Sequence, residues 1–228
     1  MPGINSREYW DARFHSGDWE RRAGRWQTER FAQFFLRHVA LPAEPFSLLD
    51  FGCGLGDALA VLRAAAPHGR YAGCDISAAA VAKCRARYGE AATFFVGTAE
   101  TLPEQWDVIY CSNVLEHLTD PIAVAGHLLA HCRTLHIMVP YQELYHGRPI
   151  TPNEEIEHQY TFDEHAFDAL RARGLAAAIT TVIAPCPDAY VASPIHAFLR
   201  GVYYCLKGRS PREAFAFPPH LICTIQRA

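Results

Sequence analysis

The 228-residue chain contains no long hydrophobic run and no block of basic residues. No apolar stretch reaches the about 18 residues that a membrane-spanning helix needs, and residues 1–16 lack the apolar core of a secretion signal. Lysines and arginines are scattered, the net charge is −3 and the pI is about 6.4, whereas generic nucleic-acid binders are basic. We therefore expect a cytoplasmic protein that uses neither a membrane nor a nucleic acid as its partner.

Cysteine patterns typical of zinc sites or disulfide scaffolds are also missing. Eight cysteines occur, but none forms a C-x-x-C pair, and several lie inside apolar, strand-like segments. Cysteine in such a segment acts as a small hydrophobic residue, so we expect reduced thiols in the core. Half of the chain is hydrophobic, and 228 residues suffice for one α/β domain with a complete core.

The most informative stretch is 46–57, which reads F-S-L-L-D-F-G-C-G-L-G-D. Its apolar residues predict a buried parallel strand that runs into a tight turn. The turn contains three glycines, Gly52, Gly54 and Gly56, which permit positive φ and close approach of a ligand to the backbone. A dinucleotide-binding turn has a further glycine where this chain has Asp57, whose carboxylate would repel a pyrophosphate. Asp57 and Asp50 therefore favour a nucleotide cofactor that carries positive charge and no phosphate.

An acidic residue at the end of the next predicted strand fits the same ligand. The segment 71–76 reads Y-A-G-C-D-I and places Asp75 roughly 20 residues after the glycines. Open parallel sheets bind ligands at the carboxyl ends of their strands, and an acid in this place accepts hydrogen bonds from ribose hydroxyls. We predict that Asp75 binds the ribose of the cofactor; the alternative is a carboxylate that only stabilises a helix N-terminus.

Two sequence blocks resemble the class I S-adenosylmethionine-dependent methyltransferases. The first is L-D-F-G-C-G-L-G at 49–56, and the second is W-D-V-I at 106–109 leading into V-L-E-H-L at 114–118. The resemblance implies a Rossmann-like, seven-stranded, mostly parallel α/β sheet with helices on both faces, and S-adenosylmethionine as cofactor. Together with the predicted sheet edge, it assigns these residues to the cofactor: Asp50, Gly52, Cys53, Gly54, Gly56, Asp57, Asp75, Ile76, Thr98, Ala99, Glu100 and Asn113. Thr98 departs from the family, which usually has an acid at that position to bind the adenine amino group.

We expect a single domain over residues 1–228. Residues 1–40, which are rich in aromatic side chains, form either a helical lid over the site or a brace on the sheet. Residues 46–140 bind the cofactor, and residues 141–228 form the substrate half. Within that half, residues 185–219 precede the last strand where the family usually has a short link. We interpret this insertion as part of the substrate pocket or as a dimer surface, in a monomer or homodimer.

Local patterns also predict individual helices and loops. Thr28 is a common N-cap residue type, which predicts a helix from Thr28 to about Val39. Residues 141–159 are polar and have no periodicity, so we expect a long irregular connection of the kind that carries function. A further helix is predicted from Asp163 to about Arg173, with Gly174 ending it.

Candidate catalytic residues follow from the chemistry that the resemblance implies. Methyl transfer to a hydroxyl requires loss of a proton, and a histidine with a near-neutral pKa is suited to accept it. His158, on the variable connection, is the first candidate; family members have a histidine facing the active site in a similar H-x-x-x-F segment. His117 and Glu116 are the other candidates, although both also occur in the family as packing residues.

The sequence leaves two questions open. Some methyltransferases of this class bind a divalent metal through E-x-x-E-H and a later histidine. Here Asn113 replaces the first acid, so Glu116, His117 and His158 remain as candidate metal ligands. The preferred interpretation has no metal and a small-molecule acceptor, methylated at a hydroxyl or an amine. A methyltransferase acting on RNA or protein, or a non-catalytic protein that binds the cofactor as a partner subunit, is the alternative.

Overall fold

The computed structural model describes residues 3–152, 156–191, 194–207 and 217–228. Their central feature is a seven-stranded sheet in the order β3-β2-β1-β4-β5-β9-β8, parallel except for β9, which runs antiparallel to both neighbours. The sheet strands are β1 (Ser47–Phe51), β2 (Arg70–Asp75), β3 (Thr93–Val96), β4 (Trp106–Ser112), β5 (Cys132–Pro140), β8 (Ala176–Pro185) and β9 (Pro219–Arg227); β6 (Leu144–Tyr145) and β7 (Arg148–Pro149) form a separate hairpin. The predicted Rossmann-like fold is confirmed.

Within the described residues, seven α-helices connect or cover these strands. They are α1 (Arg7–His15), α2 (Arg22–His38), α3 (Asp57–Ala65), α4 (Ala78–Tyr88), α5 (Pro121–Ala130), α6 (Asp168–Ala172) and α7 (Pro194–Leu206). Their ends follow local chemistry: the Ser77 hydroxyl accepts the Ala80 N–H at the start of α4, and Asp120 caps α5 ahead of Pro121. The connection from β1 into α3 is the predicted glycine turn.

The core consists of two hydrophobic layers, one on each face of the sheet. Alternate residues of β1 show why, since Leu48 packs under α2 and α3 whereas Leu49 packs under α5 and α6, and both are fully buried. Burying one such leucine contributes roughly 1.5–3 kcal/mol, so the two layers hold the strand ends in fixed positions. The carboxyl ends of β1, β2 and β4 therefore form a rigid edge.

Two predicted helices have different bounds in the structure. Helix α2 begins at Arg22, and Thr28 lies inside it, where its hydroxyl donates to the Gly24 carbonyl oxygen one turn earlier. The cap-type residue was therefore wrong as a start signal. Helix α6 is shorter than predicted, because the residues before it form turns that bury Phe167 in stacked contact with Phe162.

The connection at 141–159 is more regular than its sequence predicts. Strands β6 and β7 pair as a hairpin whose two turn residues, His146 and Gly147, both have positive φ (51° and 77°). This is the geometry of a type I′ turn, which matches the natural twist of paired strands. The expectation of a wholly irregular connection is corrected for this part; residues 153–155 lie outside the described residues.

The predicted insertion at 185–219 is described only in part. It contains α7, while residues 192–193 and 208–216 lie outside the described part of the chain. Among the described residues, no helix is both long and apolar enough to cross a membrane. The eight cysteines are free thiols, as expected, and seven of them are buried; Cys205, on α7, is exposed.

Candidate functional site

The turn after β1 requires glycine for steric reasons. The N–H groups of Gly52 and Cys53 both donate to the Cys74 carbonyl oxygen, at 2.8 and 3.0 Å, which bends the chain sharply towards β2. Gly52 has φ +76°, and a Cβ on it would lie 2.2 Å from Cγ2 of Val114. Any side chain at position 52 would therefore displace the segment that leads to Glu116.

Gly54 is the point of the turn that has room above it. Its φ is +50°, and the nearest atoms to a Cβ built there belong to the Phe14 ring, at 3.5 and 3.7 Å. Phe14 is buried and comes from α1, far away in sequence. Helix α1 therefore packs over the glycine turn, and its role as a lid stays a prediction.

Asp75 is tied to the turn by its own carboxylate. Oδ2 accepts the Gly54 N–H and Oδ1 accepts the Ser77 N–H, each at 2.8 Å. Burial raises the pKa of Asp75, although these N–H donors act in the opposite direction. Asp75 thus links the end of β2 to both neighbouring loops, while its predicted contact with a ribose stays a prediction.

Asp50 is a buried carboxylate that needs a partner. It is 3% exposed, and its Oδ2 has no hydrogen-bond partner in the described part of the chain. Burial raises the pKa of Asp50 to about 8, and the negative charge of Asp75 adds to the effect. A cation next to Asp50 would compensate its charge. The α-ammonium of S-adenosylmethionine has the right chemistry, so the residues present fit the cofactor that the sequence predicts.

Asp57 already has its partners within the protein. Its buried carboxylate accepts from Arg25 at 3.1 Å and from Arg87 at 2.5 Å. The two guanidinium groups join α2 and α4 to the first turn of α3. The charge of Asp57 therefore needs no cofactor cation, and its predicted cofactor contact stays a prediction.

The remaining predicted cofactor residues lie along the same edge of the sheet. Thr98 begins a 3₁₀ turn, Ala99–Thr101, in which Ala99 is buried and Glu100 is exposed. Ile76 is half-buried directly after Asp75. Asn113 has φ +53°, and its amide donates to the Ser112 hydroxyl. Their contacts with the cofactor stay predictions.

The three predicted catalytic residues come together in the structure. Glu116, His117 and His158 each offer a ligand-type atom, and these atoms lie within 4.8 Å of one another. The two imidazole rings are 4.9 Å apart at an interplanar angle of 76°. The Gln159 N–H donates to the Glu116 carbonyl oxygen at 2.6 Å, and this bond joins the segment of His158 to the segment of Glu116 and His117.

Glu143, which the sequence did not indicate, completes this cluster. One of its oxygens lies 2.5 Å from Nδ1 of His158. Burial opposes protonation of His158, but the contact with Glu143 and the charge of Glu116 outweigh it and raise its pKa. Glu143 lies next to β6 in a segment without a recognisable motif, so only the folded hairpin brings it to His158.

Burial favours the neutral forms of Glu116 and His117. Glu116 is 1% exposed, and burial raises its pKa to about 8. Burial lowers the pKa of His117 to about 4, and the nearby His158 adds to this. Nδ1 of His117 lies 3.1 Å from the Glu157 carbonyl oxygen, so Nδ1 carries the proton and the ring is neutral.

The N-terminal segment closes this side of the site as well. The Asn5 amide donates to the carbonyl oxygens of His117 (2.9 Å) and Glu157 (2.7 Å). Tyr9 and Arg13 both bond to the Glu157 carboxylate. Next to the cluster is a cavity of about 250 Å³, lined by Glu143, Leu144, Tyr145, Ile150, Ile156, Glu157 and His158.

Comparisons with known proteins agree with this architecture. A family model described as a methyltransferase domain matches residues 49–134. The trans-aconitate 2-methyltransferase of Deinococcus radiodurans is 31% identical over 104 residues, which are 44% of this chain and 40% of that protein. The chain therefore matches less than half the length of this curated relative.

Two solved structures show the same fold. The Haloferax volcanii protein solved in a complex with the Trm112 methyltransferase activator has a TM-score of 0.67 at 23% identity, covering 100% of this chain and 98% of that one. The magnesium protoporphyrin IX methyltransferase of Synechocystis PCC 6803, solved with bound S-adenosylhomocysteine, has a TM-score of 0.53 at 15% identity, covering 99% and 90%. Residues 49–134 therefore match a methyltransferase domain, and the chain shares the fold of these two solved structures.

Proposed function

We propose that this protein transfers a methyl group from S-adenosylmethionine to a hydroxyl group of a small-molecule acceptor. The observation that carries the proposal is the pair of Glu143 and His158, 2.5 Å apart, beside a cavity at the carboxyl edge of the sheet. A carboxylate that holds one ring nitrogen of a histidine fixes its tautomer and leaves the other nitrogen to accept a proton. An amine acceptor is the alternative within the same class.

The chain's residues would divide the work between binding and proton transfer. When bound, S-adenosylmethionine supplies an electrophilic methyl group on a positively charged sulfur. The glycine turn, Asp50 and Asp75 hold the donor, and Nε2 of His158 accepts the acceptor's hydroxyl proton while Glu143 holds Nδ1–H. Helix α1 covers the turn through Phe14 and excludes water, so donor and acceptor meet in a fixed orientation.

The test is a kinetic comparison of Glu143→Gln with Glu164→Gln. Glu164 accepts from the Tyr141 hydroxyl on the exposed surface, so it is a matched carboxylate outside the cluster. We expect Glu143→Gln to lower kcat about 100-fold, the lower end of the typical contribution of general acid–base catalysis, with unchanged affinity for S-adenosylhomocysteine. An unchanged kcat in Glu143→Gln on an active acceptor would refute the role of the pair.

Acceptor class is tested by a panel that includes hydroxyl, amine and carboxylate compounds, trans-aconitate among them. The acidic pI and the cavity of about 250 Å³ support a small acceptor. We expect turnover on at least one hydroxyl compound of this size. Turnover on bulk RNA or a protein, and on none of the small compounds, would contradict the small-molecule proposal.

A second candidate is a methyltransferase that works with a protein activator. It is favoured by the similarity, over nearly the whole length of both chains, to a protein solved in complex with Trm112. Such a protein would show little activity alone and would co-purify with a small partner. Analytical ultracentrifugation of the chain with its own organism's Trm112-type protein separates the two candidates, because only this one predicts a stable complex.

A further inference from the structure

Helix α7 has an apolar stripe on its surface. Every α7 side chain that the structure describes is exposed. The stripe consists of side chains that are between 39% and 81% exposed and recur at the spacing of one helix face: Ile195, Phe198, Leu199, Val202 and Leu206. With 3.6 residues per turn, these positions fall within about 100° of the helix circumference. The stripe is therefore continuous along the helix.

Helix α2 shows what the same spacing does in a helix that packs on the sheet. Phe31, Phe34 and Phe35 have the spacing i, i+3 and i+4, and all three are buried in a core layer. The first three residues of the α7 stripe have this spacing too, but they are exposed. A contiguous exposed apolar surface of this kind marks a site that binds a protein or a membrane.

The charge around the stripe is positive in a chain that is acidic overall. The chain has a net charge of −3, yet its sequence from Ala189 to Arg212 contains no aspartate or glutamate. Arg200 lies within the helix sequence, Lys207 follows it directly, and Arg209 comes next in the sequence. An apolar stripe with basic flanks is complementary to an anionic surface that has an apolar interior.

Other occupants fit this charge less well. Twofold docking of a second copy brings the same surface patch against itself, so basic residues would meet basic residues with no acid of the segment between them. A protein partner with an apolar groove would account for the stripe, but it would leave the lack of acids unexplained. The surface of a bilayer that contains anionic lipids accounts for both features.

The connection that contains α7 also belongs to the edge of the sheet where the proposed site lies. Strand β8 ends at Pro185, which pairs with Pro219 at the start of β9. The next residue of β9, His220, pairs with Pro140 at the end of β5. The connection therefore leaves and re-enters the sheet at the carboxyl ends of the parallel strands.

We propose that α7 lies in the surface of a bilayer that contains anionic phospholipids, with its stripe among the acyl chains and its basic residues at the headgroups. At 1.5 Å per residue its 13 residues are about 20 Å long, so the helix can lie along the surface without crossing it. The net charge and the lack of a long hydrophobic run gave the opposite expectation, because neither feature reflects one short amphipathic helix.

A class of acceptor follows if the protein is the methyltransferase proposed above, so this part of the inference rests on the proposed function. With α7 in the bilayer surface, the site edge lies next to the membrane. The acceptor is then a small hydroxyl compound that partitions into the bilayer. Leu144, Ile150 and Ile156 in the cavity lining offer apolar surface to such a compound.

The test is flotation of the full-length chain with vesicles of phosphatidylcholine, with and without phosphatidylglycerol. The variants are Leu199→Gln and the double change Phe198→Gln/Leu199→Gln, which make the stripe polar without touching the core. Leu175→Gln is the matched control, because Leu175 is an exposed leucine directly before β8, at the other end of that strand from α7. A polarity-sensitive fluorophore on the exposed thiol of Cys205 reports whether α7 itself enters the surface.

We expect the wild type and Leu175→Gln to bind the anionic vesicles equally, with increased emission from labelled Cys205. Leu199→Gln should lower the partition coefficient about tenfold, and the double variant about 100-fold, because each buried apolar side chain is lost from the acyl region. Vesicles of phosphatidylcholine alone should bind about 5–25-fold more weakly, from the loss of one or two basic contacts with anionic lipid.

No binding to the anionic vesicles, or equal binding by Leu199→Gln and Leu175→Gln, would overturn the proposal. Ultracentrifugation of the same proteins identifies the occupant in that case. A dimer that Leu199→Gln prevents would assign the stripe to a second copy. A complex with the Trm112-type protein that Leu199→Gln prevents would assign it to a protein partner.

Methyl-transfer assays separate this proposal from the proposed function. Vesicle binding through the stripe, together with no methyl transfer to any acceptor, would establish the surface helix and refute the proposed function. Methyl transfer without vesicle binding would do the reverse. If both hold, Leu199→Gln should raise KM about tenfold for a hydroxyl acceptor offered in vesicles and leave kcat unchanged; an unchanged KM would refute the membrane-resident acceptor.

Discussion

The two halves of the site are built in opposite ways. The predicted cofactor side is one continuous turn, in which Gly52, Cys53 and Gly54 are held by backbone hydrogen bonds to Cys74 and by the carboxylate of Asp75. The proposed acceptor side is assembled from side chains that are far apart in sequence, such as Asn5, Glu143 and His158. The first half depends on the absence of side chains, whereas the second depends on a network of them.

This difference predicts which substitutions should impair each half. Backbone geometry at Gly52 leaves no room for a Cβ, so a substitution there should abolish cofactor binding. The network on the acceptor side has several independent links between the N-terminal segment, the hairpin and the 3₁₀ turn, so the loss of one link should alter acceptor kinetics and leave cofactor affinity nearly unchanged.

The strongest comparison is between two glycines with nearly equal φ. Gly52 has φ +76° and Gly147 has φ +77°. A Cβ on Gly52 would lie 2.2 Å from Val114, whereas a Cβ on Gly147 would have no neighbouring atom within 4 Å in the described part of the chain. We expect Gly147→Ala to cost about 1–2 kcal/mol of unfolding free energy from the positive φ alone. Gly52→Ala should cost about 1–3 kcal/mol more from overpacking and should abolish binding of S-adenosylhomocysteine.

Urea denaturation and calorimetry measure both quantities for this pair. If Gly52→Ala and Gly147→Ala were equally stable, and both bound the cofactor product, the steric account of the turn would be wrong. Loss of binding in Gly147→Ala would instead indicate that the hairpin supports the cofactor side, which the described contacts do not predict.

The second prediction concerns Asp75→Ala. Loss of the acceptor for the N–H groups of Gly54 and Ser77, and of the predicted ribose contact, should weaken S-adenosylhomocysteine at least about tenfold, because one hydrogen bond to a charged group contributes about 1.5–3 kcal/mol. Asp107→Ala is the matched control, since Asp107 joins β1 and β4 by two 2.9 Å bonds to Ser47 near the opposite end of the strands. Equal weakening in both variants would mean that Asp75 acts only through stability.

The third prediction is a pH dependence of cofactor binding. Burial raises the pKa of Asp50 to about 8, so Asp50 is mostly protonated at pH 7 before binding. A cationic ligand beside Asp50 favours the ionised form, so binding should release up to about one proton, and affinity should rise by up to about tenfold per pH unit below pH 8. Calorimetry in buffers of different ionisation enthalpy counts the protons, and Asp50→Asn should release none; release that persists in Asp50→Asn would exclude Asp50 as the source.

The smallest effect is expected on the acceptor side, for Asn5→Gly. Asn5 has φ +65°, so glycine removes the amide without adding backbone strain. The loss of two hydrogen bonds should lower stability by roughly 1–2 kcal/mol and change KM for the acceptor several-fold, with the affinity for S-adenosylhomocysteine nearly unchanged. A large loss of cofactor affinity would show that α1 serves the turn more than the cluster.

The fold of the cofactor side could be predicted from the sequence because a single stretch contains it. The apolar run before Gly52 and the glycines that follow it are local signals, and the predicted strand, the tight turn and the second strand ending at Asp75 are all present in the structure. The prediction that α2 begins at Thr28 was wrong, because cap-type residues are also tolerated inside helices when their hydroxyl bonds to the backbone.

The acceptor side could be predicted only as single residues. The sequence named His158, His117 and Glu116 as candidates, but it gave no reason to connect Glu143 or Asn5 with them. Their contacts depend on how the β6–β7 hairpin and α1 fold over the sheet edge, and tertiary packing decides that. For Asp57 the charge is evident from the sequence but its partners are not, because Arg25 and Arg87 come from two separate helices.

The most direct test is a calorimetric titration of S-adenosylhomocysteine into three proteins: the wild type, His158→Asn and Gly52→Ala. The division between a backbone-built cofactor side and a side-chain-built acceptor side predicts one bound molecule per chain with equal affinity in the first two, and no measurable binding in Gly52→Ala. Undiminished binding to Gly52→Ala, or no binding to the wild type, would contradict it.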